Sequence, residues 1–382
     1  MLVPNQAVRQ TRSSYIRNIL NVAQQQQVLS LAGGLPNPEL FPLSLLKQAA
    51  AELANSPQCY QYGATLGLGE LREHLRPQQP IAGDVLITTG SQQALDLIAR
   101  AYISPGDKII CEVPAYLGAL QIFELAQAQI IGIPSVTTGP DLEVLEQQLI
   151  EHKPKLFYTV PDFHNPTGRC WDLSTRQAVA RLMERYGVTL IEDAPYSRLR
   201  YRGEALPAVS SLGQGDSFFL GSFSKIGAPG MRVGYVNASS NLIEPMAKVK
   251  QACDLHSAVP MQQMCLWLLQ QPTFEAHLDN LTSHYRQNLQ HLAMQLTESL
   301  ADHLVFSLPE GGMFLWASLK HHNASDLAAA ALAHGVAVVP GDEFWPQGEA
   351  SEQAIRLNFS ALNTQQLDLA VKRLSQAFAS LG

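Results

Sequence analysis

Residues able to do covalent, acid–base and charge-pairing chemistry recur just behind short apolar runs. Residues 156–160 are followed by PDFHNPTG, which carries Asn165; residues 188–191 by EDAPY, which carries Asp193 and Tyr196; and residues 218–220 by GSFSK, which carries Ser222, Ser224 and Lys225. Arg232 lies seven residues past Lys225, in GMR. Singly, each type has an ordinary use: Asn-Pro-Thr-Gly makes turns, an acid after a strand caps helices, and most lysines are solvated. Together, an amide, a carboxylate, a phenol and an amine at successive run ends supply what pyridoxal phosphate needs. The amine condenses with its aldehyde. The carboxylate keeps the pyridine nitrogen protonated, because only the pyridinium withdraws electrons well enough to stabilise a substrate carbanion. Asn165 and Tyr196 can donate to the ring oxygen. For the phosphate, Thr89-Gly90-Ser91-Gln92-Gln93 opens a helix directly after an apolar run, and Arg232 offers a guanidinium fork.

The elements that must position these groups follow from periodicity. Short β-branched runs at 85–88, 108–111, 130–133, 156–160, 188–191, 218–220 and 231–236 alternate with helical patterns at 92–101, 142–150 and 174–186. Strands apolar on both faces and spaced by helices predict an α/β fold whose mostly parallel sheet is covered on both sides, a three-layer large domain. In such sheets ligands bind beyond the carboxyl ends of the strands, where the reactive residues stand. Ser174 is expected to cap the helix that Gly187 ends. Residues 241–299 read as a long linker helix, and strand-like runs at 313–316, 336–339 and 355–358 predict a smaller C-terminal α/β domain. The expected division is an N-terminal arm over 1–40 packing with the small domain, a large cofactor-binding domain over 41–270, and the linker helix with the small domain over 271–382.

Composition narrows the class. The chain has 382 residues, 46% of them apolar and 15% charged, which excludes a disordered chain and fits two domains or one large one with an appendage. Lys and Arg number 26 against 33 Asp and Glu, a net charge of −7, so no basic field exists to hold nucleic acid. No run approaches the roughly 20 apolar residues of a membrane span. Five scattered cysteines form no C-x-x-C pair, and no metal site is expected. A soluble, cytoplasmic protein is the expectation, with neither membrane nor nucleic acid as partner.

The blocks LSLAGGLPNPELFP, QYGATLGLGELR, ITTGSQQALDL, VPDFHNPTGR, IEDAPYSRLRY, LGSFSKIGAPGMRVGY, PEGGMFLW and IRLNFSAL occur in that order. In them the chain resembles the fold type I, class I/II pyridoxal-phosphate aminotransferases, and within these the 2-aminoadipate, kynurenine and LysN-like branch. The resemblance runs almost end to end. It implies that Lys225 holds the cofactor and moves the proton between the substrate α-carbon and cofactor C4′, that Asp193 pairs with the pyridine nitrogen, and that Asn165 and Tyr196 face the ring oxygen. Ser91, Gln92, Ser222, Ser224 and Arg232 would line the phosphate, and Tyr116, in VPAY, would stack on the ring. Tyr62, in QYG, matches the position that reaches the phosphate of a partner subunit, which implies a homodimer with shared sites. Arg356 would take the α-carboxylate, with Gly34 and Asn165 on the substrate side, and Arg17 a distal carboxylate, with Ser14 nearby.

Two positions depart from the pattern: His164 stands where many relatives carry Gln, and Phe359 where a Tyr is common. The expected reaction is transfer of an amino group from an L-amino acid of glutamate, 2-aminoadipate, leucine or aromatic type to a 2-oxo acid. The same scaffold could run another pyridoxal-phosphate reaction, such as C–S elimination or an oxidative step, or serve as a regulatory ligand-binding domain. Against the last, the blocks begin by Leu29, which leaves no room before them for a winged helix.

Overall fold

Strands with no polar face must be buried on both sides, and this requirement organises the molecule. The computed structural model describes residues 2–11, 14–26, 28–346 and 352–382. Its strands are β1 (Leu29–Ser30), β2 (Asp84–Thr88), β3 (Lys108–Val113), β4 (Gln129–Val136), β5 (Gly139–Pro140), β6 (Leu156–Thr159), β7 (Thr189–Asp193), β8 (Ser217–Ser222), β9 (Gly234–Ala238), β10 (Leu304–Phe306), β11 (Phe314–Leu319), β12 (Val336–Ala337), β13 (Val339–Pro340) and β14 (Ala354–Asn358).

The large sheet has the order β2-β9-β8-β7-β6-β3-β4-β5. Neighbours from β8 through β4 run parallel, while β9 is antiparallel to both β2 and β8, and β5 to β4. The expected 231–236 strand begins only at Gly234. Met231 instead closes the turn Pro229–Met231, and Arg232 follows in the left-handed region at φ 53°, which no strand residue adopts. Helices Ser91–Tyr102, Leu117–Leu125, Leu142–His152 and Leu173–Tyr186 connect the parallel strands.

The Leu173–Tyr186 helix is capped by Asp172 rather than Ser174. Asp172 has extended backbone and accepts from the Thr175 amide at 2.7 Å, whereas Ser174 already lies within the first turn and donates to Asp172. Gly187 ends the helix at φ 64°, as the sequence predicts. The segment expected as one linker helix is three: Ser240–Cys253, Val259–Gln270 and Thr273–Leu300. Pro260 and Pro272, which lack an amide hydrogen, sit where the second begins and immediately before the third, positions that Pro tolerates.

A second sheet, β10-β11-β14-β13, is antiparallel throughout. The apolar run at 336–339 is split, β12 pairing with β1 and β13 with β14. The chain after β1 then follows the second sheet, Asn358 donating its amide to the Leu31 carbonyl at 2.7 Å. Helix Tyr15–Gln26 packs Ile19 and Ala23 with Trp316, Val339 and Phe344. These contacts bring residues 14–26 and 28–34 against β14 and over the ends of the large sheet.

Candidate active site

The loops after β2, β3, β6, β7 and β8 open at one end of the large sheet, facing β14 and the segment around Gly34. A cavity of about 250 Å3 lies between them. Twelve of the fourteen residues assigned in the sequence to cofactor or substrate line it: Gly34, Ser91, Gln92 and Tyr116 on one side, Asn165, Asp193, Tyr196 and Ser222 at the strand ends, and Ser224, Lys225, Arg232 and Arg356 around them. Tyr62 and Arg17 do not line it.

Lys225 donates from Nζ to the Gly34 carbonyl at 2.8 Å. Burial, reinforced by the positive charges of Arg356 and Arg232, lowers its pKa to about 8. Asp193, at the end of β7, is buried, and Tyr158 donates to its Oδ2 at 3.2 Å. Burial raises its carboxyl to about 7, against the opposing pull of Tyr158, Ser91 and Lys225. Tyr196 packs edge-on to Phe314 and its hydroxyl is pushed up by burial. Tyr116, pushed up to about 12 by burial and Asp193, donates to Gln92 Oε1 at 3.0 Å.

Ser91 opens the helix Ser91–Tyr102 behind Gly90, whose φ of 97° is available to glycine and strained for other residues. A Cβ at Gly90 would also lie 3.0 Å from Arg232 Nη2. Arg232 donates to the Thr89 carbonyl at 2.7 Å, and the Ser224 amide donates to Ser222 Oγ at 3.2 Å.

Arg356, 1% exposed on β14, holds its guanidinium carbon over the rings of Phe314, 4.3 Å from the centroid, and Phe344, 5.0 Å from it. It donates to Asn165 Oδ1 at 2.8 Å and to the Ala32 carbonyl, and burial lowers its pKa to about 10. Stacking on aromatic faces suits a guanidinium better than an ammonium.

Tyr62 is 79% exposed, edge-on to His256 at 5.8 Å. Arg17 is exposed on helix Tyr15–Gln26; its neighbour Ile16 is the residue of that helix that lines the cavity. His164 is buried behind the site, its Nδ1 2.9 Å from Thr167 Oγ1, and burial, then Arg169, depress it to about 3. Phe359 is buried edge-on to Tyr201, away from the cavity. Nothing in the sequence patterning singles out Phe314, Phe344 or Ile16 as site residues, and Tyr158 stands out only weakly. A phenol within an otherwise apolar strand marks Tyr158; the others look like ordinary core residues.

Three residues of the cavity each carry a buried polar atom that completes no hydrogen bond within the protein: Ser91 Oγ, Asp193 Oδ1 and Arg356 Nε. Orphaned polar atoms are costly, and a hydroxyl at a helix start, an anion and a cation in one cavity fit a phosphate, a pyridinium and a carboxylate respectively. The residues present therefore fit pyridoxal phosphate and an amino acid.

Residues 27–374 match the profile of the family described as Aminotransferase class I and II. The chain belongs to that family. Among its relatives, this aminotransferase is 35% identical to the 2-aminoadipate transaminase of Thermus thermophilus, over 97% of this chain and 95% of the relative. It is also 35% identical to aromatic-amino-acid aminotransferase 1 of Thermococcus litoralis, over 96% and 91%. Its fold superposes on the Pyrococcus horikoshii kynurenine aminotransferase, solved with PMP, with a TM-score of 0.93 and 33% identity, covering 99% of this chain and 97% of that one. A Thermus thermophilus alpha-aminoadipate aminotransferase complexed with N-(5'-phosphopyridoxyl)-L-leucine gives 0.92 and 33% over the same shares. The protein is thus a fold type I, pyridoxal-phosphate-dependent aminotransferase. When bound, the cofactor supplies a pyridinium electron sink and carries the amino group between substrates.

Proposed function

We propose that this aminotransferase takes the amino group from an L-amino acid of glutamate, 2-aminoadipate, leucine or aromatic type and delivers it to a 2-oxo acid. The observation that carries this reading is the buried Arg356, stacked against Phe314 and Phe344 in the cavity that holds Lys225 and Asp193. The names of the relatives, which include 2-aminoadipate and aromatic-amino-acid enzymes, and the phosphopyridoxyl-leucine complex of a neighbour support the donor range.

In this reading Lys225 holds the cofactor and carries the proton between the substrate α-carbon and C4′, and its lowered pKa keeps a usable share of free amine near neutrality. Asp193 faces the pyridine nitrogen. Asn165 and Tyr196 hold the ring oxygen, and Tyr116 stacks on the ring. Ser91, Gln92, Ser222, Ser224 and Arg232 hold the phosphate. Arg356 takes the α-carboxylate beside Gly34 and Asn165, and Arg17 serves donors with a second carboxylate. The division into an arm over 1–40, a large domain over 41–270 and a small domain over 271–382 belongs to the same reading.

The working unit is a homodimer in the cytoplasm, with Tyr62 completing the site of a second copy; its exposure leaves it available for that contact. Among the described residues no helix is long and apolar enough to cross a membrane. Each amino acid is to be mixed with the purified holoenzyme without any oxo acid, following the cofactor absorbance as it takes up the amino group. Conversion by acidic, leucine and aromatic donors is expected. Conversion by none of them would overturn the reading.

A further inference from the structure

Lys250, near the end of helix Ser240–Cys253, has a side chain with no solvent exposure, and its ammonium is fully engaged. It donates to Gln93 Oε1 at 2.9 Å and to both Asp254 oxygens at 3.0 Å, using the three donors an ammonium has. A buried cation is costly without such partners, so the arrangement needs a reason beyond solvation of the lysine.

The reason lies on the far side of Gln93. The same Oε1 accepts from the Thr89 amide at 2.9 Å, while Gln93 Nε2 donates to Asp254 Oδ2 at 2.6 Å. With Lys250 donating on one side and a carboxylate accepting on the other, the amide of Gln93 has one orientation, oxygen toward Thr89. The Thr89 carbonyl in turn accepts from Arg232 Nη2 at 2.7 Å. Thr89 is therefore pinned at both its amide and its carbonyl, immediately before Gly90 at φ 97° and Ser91 with its buried hydroxyl.

We propose that Lys250 is a positioning residue for the cofactor phosphate: through Gln93 it holds the 89–91 turn in the shape that presents Ser91 and seats Arg232. This rests on the reading that Ser91, Gln92 and Arg232 hold the phosphate. Lys250 touches neither cofactor nor substrate. Its removal leaves Asp254 partly exposed and solvated, so no anion is stranded in the core.

The test titrates full-length protein, freed of cofactor, with pyridoxal phosphate and with pyridoxal, which keeps the ring and aldehyde and lacks the phosphate. Lys250→Met and Gln93→Leu should each weaken pyridoxal phosphate about tenfold, the scale of one charge-assisted contact, and leave pyridoxal within about twofold. The double variant should be no weaker than either single one, because both break one chain of contacts. Arg232→Gln, a direct phosphate contact in this reading, should show the same discrimination and serves as reference. If Arg232→Gln discriminates while Lys250→Met and Gln93→Leu do not, the role of Lys250 is overturned and the phosphate reading stands. If Arg232→Gln weakens both ligands alike, the phosphate reading itself fails and the inference falls with it. Should Lys250→Met not fold, Gln93→Leu, which keeps the ion pair with Asp254, decides alone.

Discussion

Arg356 Nη1 donates to Asn165 Oδ1 at 2.8 Å across 191 positions of sequence. A guanidinium has no acceptor, so Asn165 must turn its oxygen to Arg356 and its NH2 away from it, where it meets the Tyr196 hydroxyl. One amide thus couples the proposed carboxylate reader on β14 to the phenol behind β7. Neither residue can be moved without reorienting the other.

Arg356→Ala should therefore act on every amino donor alike. The expected loss in kcat/KM is about 3 kcal/mol, the upper range for a charged hydrogen bond, and it should be the same for glutamate, leucine and phenylalanine. Steady-state kinetics with the three donors checks it. A loss confined to one of them would place the α-carboxylate elsewhere.

Lys225→Ala should abolish turnover and covalent retention of the cofactor, since Lys225 is the only lysine among the described residues that line the cavity. Borohydride reduction and peptide mapping of the wild type should place the label on Lys225 alone. Because burial and two arginines hold its pKa near 8, the rate of cofactor capture should climb with pH toward about 8 and then level off as the amine becomes neutral. Label on another lysine refutes the assignment.

Asp193→Asn should slow α-proton removal by about 100-fold or more while the cofactor stays bound through its phosphate. Burial holds the wild-type carboxyl, before cofactor binds, near 7, so its anion is lost as pH falls through that value. Cofactor affinity should weaken below pH 7 in the wild type, and this dependence should be absent in Asp193→Asn. Near-normal single-turnover rates in the variant would remove Asp193 from its role.

The strand ends were legible because parallel strands are apolar throughout, so a polar residue just beyond one stands out; Asn165, Asp193 and Lys225 all sit there. Arg356 was legible for the converse reason, as a charge inside an apolar run. Side-chain facing was not legible. Ile16 and Arg17 differ by one position on a short helix, and only its packing against Trp316 and Phe344 decides which of them meets the cavity. The relay from Lys250 through Gln93 to Thr89 was hidden because its members are separated by 157 and 4 positions and each alone reads as a surface residue. Helix breaks at Pro260 and Pro272 were written in the sequence, yet continuous helical periodicity on both sides of each masked them.

His164 should make the fold acid-sensitive. It is buried and neutral, with its folded-state pKa lowered to about 3 by desolvation and Arg169, against 6.5 unperturbed. Between these values the unfolded chain binds a proton that the folded chain does not, so stability is present above pH 6.5 and falls as pH drops below it. From pH 7 to pH 5 the expected loss is about 2 kcal/mol. Urea unfolding of the wild type and His164→Gln across that range tests it: the variant should lose less by about that amount. Parallel pH curves for the two proteins would show that His164 does not titrate on unfolding.

In the proposed reading, Arg17 sets how donors with and without a second carboxylate share one cavity. Helix Tyr15–Gln26 lines the cavity with Ile16 and leaves Arg17 exposed, an arrangement that suits a leucine or aromatic side chain. An acidic donor needs the guanidinium brought inward, which a rotation of the first helical turn by up to about 100°, the angle between adjacent helical positions, would accomplish. A bidentate pair with the distal carboxylate would then offset the cost of the rotation. Arg17→Ala should accordingly lower kcat/KM for glutamate and 2-aminoadipate by about 1.5–3 kcal/mol and leave leucine and phenylalanine nearly unchanged. Ile16→Ala should show the opposite order, costing the apolar donors about 1 kcal/mol or more through lost apolar burial. Steady-state kinetics of both variants with the four donors separates the cases. Equal losses for acidic and apolar donors in Arg17→Ala, or no loss for glutamate, would show that this arginine is a solvated surface residue and that acidic side chains are read from another wall of the cavity.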